Sequence, residues 1–171
     1  MKLEAIKHTL VMFLVNHIFD GAFLFEVKRR LLNEIGYSLG EGTKVVGPVF
    51  CTGKLTTGSN CWLGRNFTIH GNGTVEIGDN CDIAPDVTFL TVRHALDSQE
   101  SGEGEVQKFS TSVGAGCWIG AGTTLGRNVT IGKGSMVTPS SCVMKNMPEH
   151  TLLGGVPARI IRKLEETEIY E

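Results

Sequence analysis

Bulky apolar residues recur at intervals of six along the second half of the chain: Val113, Ile119, Leu125, Ile131, Val137 and Val143. Glycine follows at 114, 120, 126 and 132. Four residues after each bulky one comes a small or medium side chain: Cys117, Thr123, Val129, Ser135, Ser141. The same period runs through Val45, Cys51, Thr57, Leu63 and Ile69, and resumes at Ile77, Ile83 and Phe89. Neither the 3.6-residue helical period nor the two-residue strand period describes this pattern. A fixed short repeat decides the fold before any local propensity does. One bulky residue, one small residue and a Gly-rich turn suit one flat side of a triangular parallel β-helix, with about 18 residues to a coil. No unit buries its apolar side alone, so the stack of coils is the unit of stability. An antiparallel sandwich would show two-residue alternation and uneven loops instead.

The period breaks in two places. Ile69 to Ile77 spans eight residues, which places a two-residue bulge or widened corner at HGNGTVE. The larger break, from His94 to Thr111, is polar and carries two glycines. It predicts a loop excursion over 95–111 that shapes a site from a rigid scaffold. The amino end has no six-residue period. Leu3–Phe19 and Phe23–Ile35 predict two helices broken at Asp20-Gly21. The organisation expected is a helical segment over 1–38, a β-helix over 39–152, and a terminal segment with a helix over 153–171.

The apolar run Leu10–Val15 is shorter than the roughly 20 residues a membrane span needs, and no clean cleavage site marks a signal peptide. Two readings of the amino segment remain. It packs against the coil or a neighbouring copy, or it touches a membrane peripherally, with Lys28, Arg29 and Arg30 meeting anionic lipid. Packing is preferred, because Asn16, His17 and Asp20 interrupt the apolar face.

The hexads VGAGCW, IGAGTT, LGRNVT, IGKGSM and VTPSSC resemble the β-helix of the hexapeptide-repeat acyltransferases. The segment IGDNCDIAPDVTFLTVRHALD and the tail GGVPARIIRK resemble the maltose and galactoside O-acetyltransferase group and polysaccharide O-acetyltransferases. The resemblance covers roughly Gly40 to Lys163. It implies an all-β solenoid wound as a left-handed parallel β-helix, a homotrimer, and acetyl-CoA as donor. Handedness comes from the family, since the usual crossover rule gives the opposite hand.

Acetyl transfer to a hydroxyl needs a base with a pKa near neutrality. His94 is the leading candidate, and it lies in T-V-R-H-A-L-D where the family has T-x-x-H-P-x-D. Ala95 replaces the usual Pro. A lone loop histidine is otherwise a solvated side chain. Asp97 orients the loop or the imidazole, or caps a turn. Asp82 precedes interior Ile83 and points outward, where it binds an acceptor hydroxyl or holds His94. Arg93 is placed to meet an acidic acceptor or to be solvated. Trp118 precedes Ile119 and also points outward; the resemblance places such a Trp at the cleft between subunits. Trp62 occupies the equivalent slot, covering the amino-terminal helix or a subunit face. Asn66 lies where related sugar acetyltransferases place an acceptor-binding Asn, though the eight-residue gap after Ile69 disturbs that register.

Small residues at Gly120, Ala121, Gly154 and Gly155 would admit pantetheine closely. The resemblance carries donor contacts to Ala121, Pro139, Lys145, Arg159 and Arg162. Pro139 departs from the Ala expected there. The cations would meet the phosphates of CoA.

Composition narrows the classes. A net charge of −2 carries no nucleic-acid footprint. Five cysteines at irregular spacing make no disulfide framework, which suits a reducing cytoplasm. Cys61, Cys81 and Cys117 occupy interior slots and act as small hydrophobes. The N-x-T triplets at Asn66, Asn72 and Asn128 read as turn residues. A γ-class carbonic anhydrase-like enzyme needs three histidines on zinc, and His70, His94 and His150 lack that spacing, so no metal is expected. A non-catalytic binding or structural β-helix is supported by the altered H-A-L-D sequence and by Pro139. Serine acetyltransferases share the coil but carry a long helical amino domain, and amino-sugar N-acyltransferases a nucleotide-binding one. Transfer of an acetyl group to a hydroxyl of a sugar or glycan precursor is the preferred function.

Overall fold

A computed structural model of the chain describes residues 2–94 and 106–165, with the backbone alone described at His94 and Val106. Short strands wind into a three-sided prism. The first face stacks Ser38–Leu39, Lys54–Thr57, Thr74–Ile77, Ser110–Val113 and Thr130–Ile131. The second stacks Lys44–Val45, Trp62–Leu63, Asp82–Ile83, Trp118–Ile119, Met136–Val137 and Thr151–Gly155, with Ala158–Lys163 beyond. The third stacks Val49–Cys51, Phe67–His70, Thr88–Leu90, Thr124–Leu125 and Cys142–Val143. Every neighbouring pair in the coil is parallel except the last on the second face. Val113 pairs with Ile131 and Ile119 with Val137, 18 residues on in each case. This is the all-β parallel solenoid that the six-residue period predicts, preceded by the helical segment expected where the period is absent.

The bulky residues form interior columns. On the second face Val45, Leu63, Ile83, Ile119, Val137 and Leu153 are all buried. Each such side chain contributes about 1.5–3 kcal/mol when fully removed from water. The small slots are polar yet satisfied. Cys61, Cys81 and Cys117 donate from Sγ to the carbonyls of Gly78, Gly114 and Gly132. Ser135 and Ser141 donate to those of Pro148 and Thr138. A buried hydroxyl or thiol is tolerated here because a corner carbonyl lies within reach, in the next coil or, for Ser141, in its own corner. The corners themselves turn through left-handed residues, including Asn66 and Asn128; Asn accepts that conformation at little cost.

The amino segment packs onto the start of the coil. Helix α1 runs Lys2–Phe13, continues as a wider π-helical turn over Leu14–Ile18, and α2 runs Phe25–Asn33. Val11 and Val15 are buried against the core. Asn16 exchanges two hydrogen bonds of 2.9 Å with the backbone of Val49, and Asn33 does the same with Leu39 at 3.0 and 2.8 Å. Of the basic residues at 28–30, Lys28 is not at the surface. Lys28 is fully buried, donating to the carbonyls of Gly21 at 2.6 Å and Val46 at 2.9 Å. Its ammonium lies 5.2 Å from the Phe25 ring centre and 5.7 Å from that of Phe23. Arg29 and Arg30 both pair with Glu26. Leu3, Ile6, Leu10 and Phe13 remain exposed along α1. Among the described residues no helix is long and apolar enough to cross a membrane.

Two expectations are corrected. Residues 158–163, expected as part of a terminal helix, form a strand antiparallel to Thr151–Gly155. The open edge of the second face needs a partner, and the β-branched pair Ile160-Ile161 supplies one; residues 166–171 lie outside the described residues. The excursion is also placed differently from 95–111: the chain leaves the coil at Val92 and rejoins it at Ser110. Val92–His94 and Val106–Lys108 pair as an antiparallel ribbon, and Thr111 is already back in the coil, buried and bonded to Gly126.

Candidate active site

The two breaks in the period are one feature in space. The extra residues after Ile69 widen the corner at Gly71–Gly73, and this corner seats the ribbon. A Cβ on Gly71 would lie 2.5 Å from Cβ of Val92, and one on Gly73 would collide with the Phe109 carbonyl. Thr91 closes the base: it is buried, its Oγ1 donates to the His70 carbonyl at 3.0 Å, and its carbonyl accepts from Phe109 N at 2.9 Å. Exit and re-entry are thereby pinned side by side. The sequence signals both breaks, but no periodicity says that they meet.

His94 ends the outgoing strand of this ribbon, opposite Val106. It is the outermost described rung, so its backbone is held by strand pairing rather than lying in an unpaired loop. Arg93, one residue back, is exposed and donates to Gln107 across the ribbon at 2.9 Å. That ties it to the ribbon rather than to an incoming acid. Asp97 lies outside the described residues.

Asn66 stands at a corner between the second and third faces. Its backbone N donates to the Pro48 carbonyl at 2.9 Å, and its Nδ2 to Oδ1 of Asp86 at 2.8 Å. The strand after it pairs in register with the strand leading to the ribbon, Ile69 opposite Phe89. Beside it, Arg65 makes a two-pronged ion pair with Asp20 at 2.9 and 3.0 Å. This link from the amino segment to the corner has no sequence signal, because 45 residues separate the partners. Asn66 and His94 thus belong to opposite ends of the third face within one chain.

Ala121 and Pro139 occupy the same edge of the prism as Asn66, in later coils. Ser140 N donates to the Ala121 carbonyl at 2.8 Å, and Gly122 N to that of Pro85 at 3.0 Å. Gly120 is buried, and a Cβ there would lie 2.6 Å from Pro139 N. Its missing side chain is therefore required by the next coil rather than left open to a ligand. A Cβ on Gly154 would strike Oγ1 of Thr138, while Gly155 is exposed with φ +101°. Lys145 and Arg159 meet on one open groove of about 340 Å³, which Asn146, Met147 and Ile160 also line. Two cations on one groove suit an anion. Arg162 pairs with Leu152 across the terminal hairpin and so lies in a different row.

Asp82 and Trp118 are register partners on the outer side of the second face. Burial raises the pKa of Asp82 above the ordinary carboxylate value. Trp62 is the partner on its other side and packs on Phe25 at 5.6 Å between ring centres, so it does cover the amino-terminal helix. Two of the thiols are poor nucleophiles: burial pushes Cys51 up to about 12, and the hydrogen bond with Cys117 pushes Cys81 up to about 11. Cys117 is lowered by that same bond but is buried. Among the described residues, no three His, Cys, Asp or Glu side chains are grouped to hold a metal ion.

Residues 110–145 match the family described as bacterial transferase hexapeptide (six repeats). The galactoside O-acetyltransferase of Escherichia coli K12 is 35% identical over 158 residues, an alignment that covers 88% of this chain and 76% of that protein. A colanic acid biosynthesis acetyltransferase, WcaF, assigned as putative in the same organism, is 29% identical over 147 residues, covering 85% and 79%. Among solved structures, a galactoside acetyltransferase in complex with coenzyme A superposes with a TM-score of 0.83 at 27% identity, covering 99% of this chain and 85% of that one. With coils, ribbon and terminal hairpin all inside the aligned span, this chain belongs to the hexapeptide-repeat acetyltransferases.

Proposed function

We propose that the chain is an acetyl-CoA-dependent O-acetyltransferase that moves the acetyl group to a hydroxyl of a sugar or glycan precursor. The observation that carries this reading is the 35% identity with a galactoside O-acetyltransferase over 88% of the chain. The thioester of the donor is already activated, so the acceptor oxygen attacks it directly while both substrates are bound. His94 takes the hydroxyl proton during attack and returns it to the departing thiolate. No acyl-enzyme is needed, in keeping with the raised pKa of Cys51 and Cys81. The donor lies along the edge marked by Ala121 and Pro139, with Lys145 and Arg159 placed for its phosphates.

Asn66 and His94 lie at opposite ends of one face. A complete cleft therefore joins surfaces of neighbouring copies in a homotrimer of left-handed coils. Cyclic closure builds three such clefts.

Replacing His94 with Ala or Asn tests the mechanism. Turnover should fall by roughly 10²–10⁴-fold, the weight of a general base, while CoA affinity and assembly are retained. The loss belongs in turnover because the proton transfer exists only in the transition state. Near-normal turnover by a correctly assembled variant would remove His94 from this role.

A further inference from the structure

Three side chains stand in one outward row on the second face. Trp62 pairs with Asp82, and Asp82 with Trp118. Each precedes a buried interior residue, Leu63, Ile83 or Ile119, so all three point away from the core. Adjacent strands lie about 4.8 Å apart, which places the two indoles roughly 10 Å apart with one carboxylate between them. Both indoles are half-buried and Asp82 is exposed. No hydrogen bond or ion pair reaches the Asp82 carboxylate among the described residues; burial is what raises its pKa. The carboxylate is exposed beside two aromatic rings and has no partner within the coil, so its lone pairs face outward.

The row has the chemistry of a sugar platform. The C–H face of a pyranose stacks on an indole, and its hydroxyls donate to a carboxylate with free lone pairs. Two indoles separated by two strand spacings span about the length of a disaccharide. The far end is held rigid. Trp62 packs on Phe25, and Phe25 in turn lies against the buried ammonium of Lys28. We infer that the Trp62–Asp82–Trp118 row is a subsite for two linked glycosyl units of the acceptor, so that the enzyme selects an oligosaccharide or growing glycan over a free monosaccharide. This rests on the acetyltransferase reading above and names its acceptor class.

The chain has two tryptophans, and both lie in this row, so intrinsic indole emission reports on it alone. The intact protein is titrated with galactose, a β-linked digalactoside and a tetragalactoside, and in parallel with glucose, maltose and maltotetraose. Acetyl transfer to each is read by thiol release. A saturable emission change is expected, with half-saturation several-fold lower for the two-unit sugar than for the single one. Trp62→Ala should raise the acceptor KM for the two-unit sugar about 3–10-fold, the weight of one aromatic contact. Asp82→Leu should raise it about tenfold or more, the weight of hydrogen bonds to a charged group. CoA binding by both variants establishes that they are folded.

Transfer to any of these sugars without an emission change overturns the subsite and leaves the acetyltransferase reading intact. An emission change that follows protein concentration rather than sugar also overturns it, and assigns the row to contact between copies. A sugar-dependent change without transfer upholds the row as a glycan site and removes the acceptor reading. Neither transfer nor emission change in either series overturns the row as a site for neutral glycans.

Discussion

Adding a single methyl group at Gly120 should loosen the donor edge without placing any atom in a ligand's path. A Cβ there would lie 2.6 Å from Pro139 N, 2.7 Å from the Val137 carbonyl oxygen and 2.9 Å from Pro139 Cδ. All three atoms belong to backbone or to a proline ring, so no rotamer change relieves the contact. Restoring ordinary van der Waals separation requires the two coils to part by several tenths of an ångström at this corner. The hydrogen bonds from Gly120 N to Val137 and from Ser140 N to Ala121, both 2.8 Å, would lengthen together. Overpacking of this kind costs about 1–3 kcal/mol, and two weakened bonds add about 1 kcal/mol each. The reduced freedom of the unfolded chain returns only about 0.4–1 kcal/mol.

Gly120→Ala should therefore lose about 2–4 kcal/mol, measured by urea denaturation. Gly122→Ala is the control, since its nearest obstacle is Oγ of Ser140 at 3.6 Å and only its φ of +68° is strained; it should lose about 1 kcal/mol. CoA affinity should weaken in Gly120→Ala as Pro139 shifts against Ala121. Equal stability losses in the two variants would refute the close packing of this corner.

Replacing Lys145 and Arg159 with Ala should weaken CoA by up to about tenfold, discounted for their exposure to solvent, and should weaken 3′-dephospho-CoA less; equal losses by calorimetry would show that these charges do not read that phosphate. Stability should fall in alkaline solution through Cys51 and Tyr37, whose thiol and phenol are both pushed up by burial, Cys51 to about 12. The unfolded chain releases these protons first, so their contribution is complete below pH 9 and is lost as pH rises toward 12. Cys51→Val should flatten that decline by at most about 1 kcal/mol per pH unit. Lys28 is pushed down by burial and acts in the opposite direction in both proteins, so equal slopes in urea titrations between pH 9 and 10.5 would contradict the assignment.

The interior of the prism is legible in the sequence because stacking imposes one residue size per slot. Val113 to Val143 could not keep their spacing in any unit that buries its side chains alone. What the period does not carry is contact between its interruptions. HGNG and the segment after His94 both read as breaks, yet nothing in either says that Gly73 lies under Phe109. Lys28 is misread for a related reason: a lysine beside two arginines looks like surface charge, and its burial depends on carbonyls at Gly21 and Val46. Gly120 looks like space for a ligand because a small residue signals room without revealing what fills it. The terminal strand has no alternating strand signal of its own, because its partner, Thr151–Gly155, is an edge only once the coil is built. Chemistry-bearing residue types were readable from motif resemblance, but their spread over separate edges of the prism is a property of winding.

Three amino-segment contacts have a joint consequence for how the molecule ends. A stack of parallel strands exposes hydrogen-bonding edges on its terminal coil, and each edge is a template on which another chain can grow. At this end the edges are met by side chains. Asn33 takes both backbone groups of Leu39, Lys28 takes the Val46 carbonyl, and Asn16 takes both groups of Val49. Each asparagine amide imitates a strand that is one residue long and has no further edge to offer. One such contact stands at each of the three faces, where it opposes further pairing. The helical segment thus acts as a chain terminator against fibre growth, and a repeat that could add coils without limit is given a defined length.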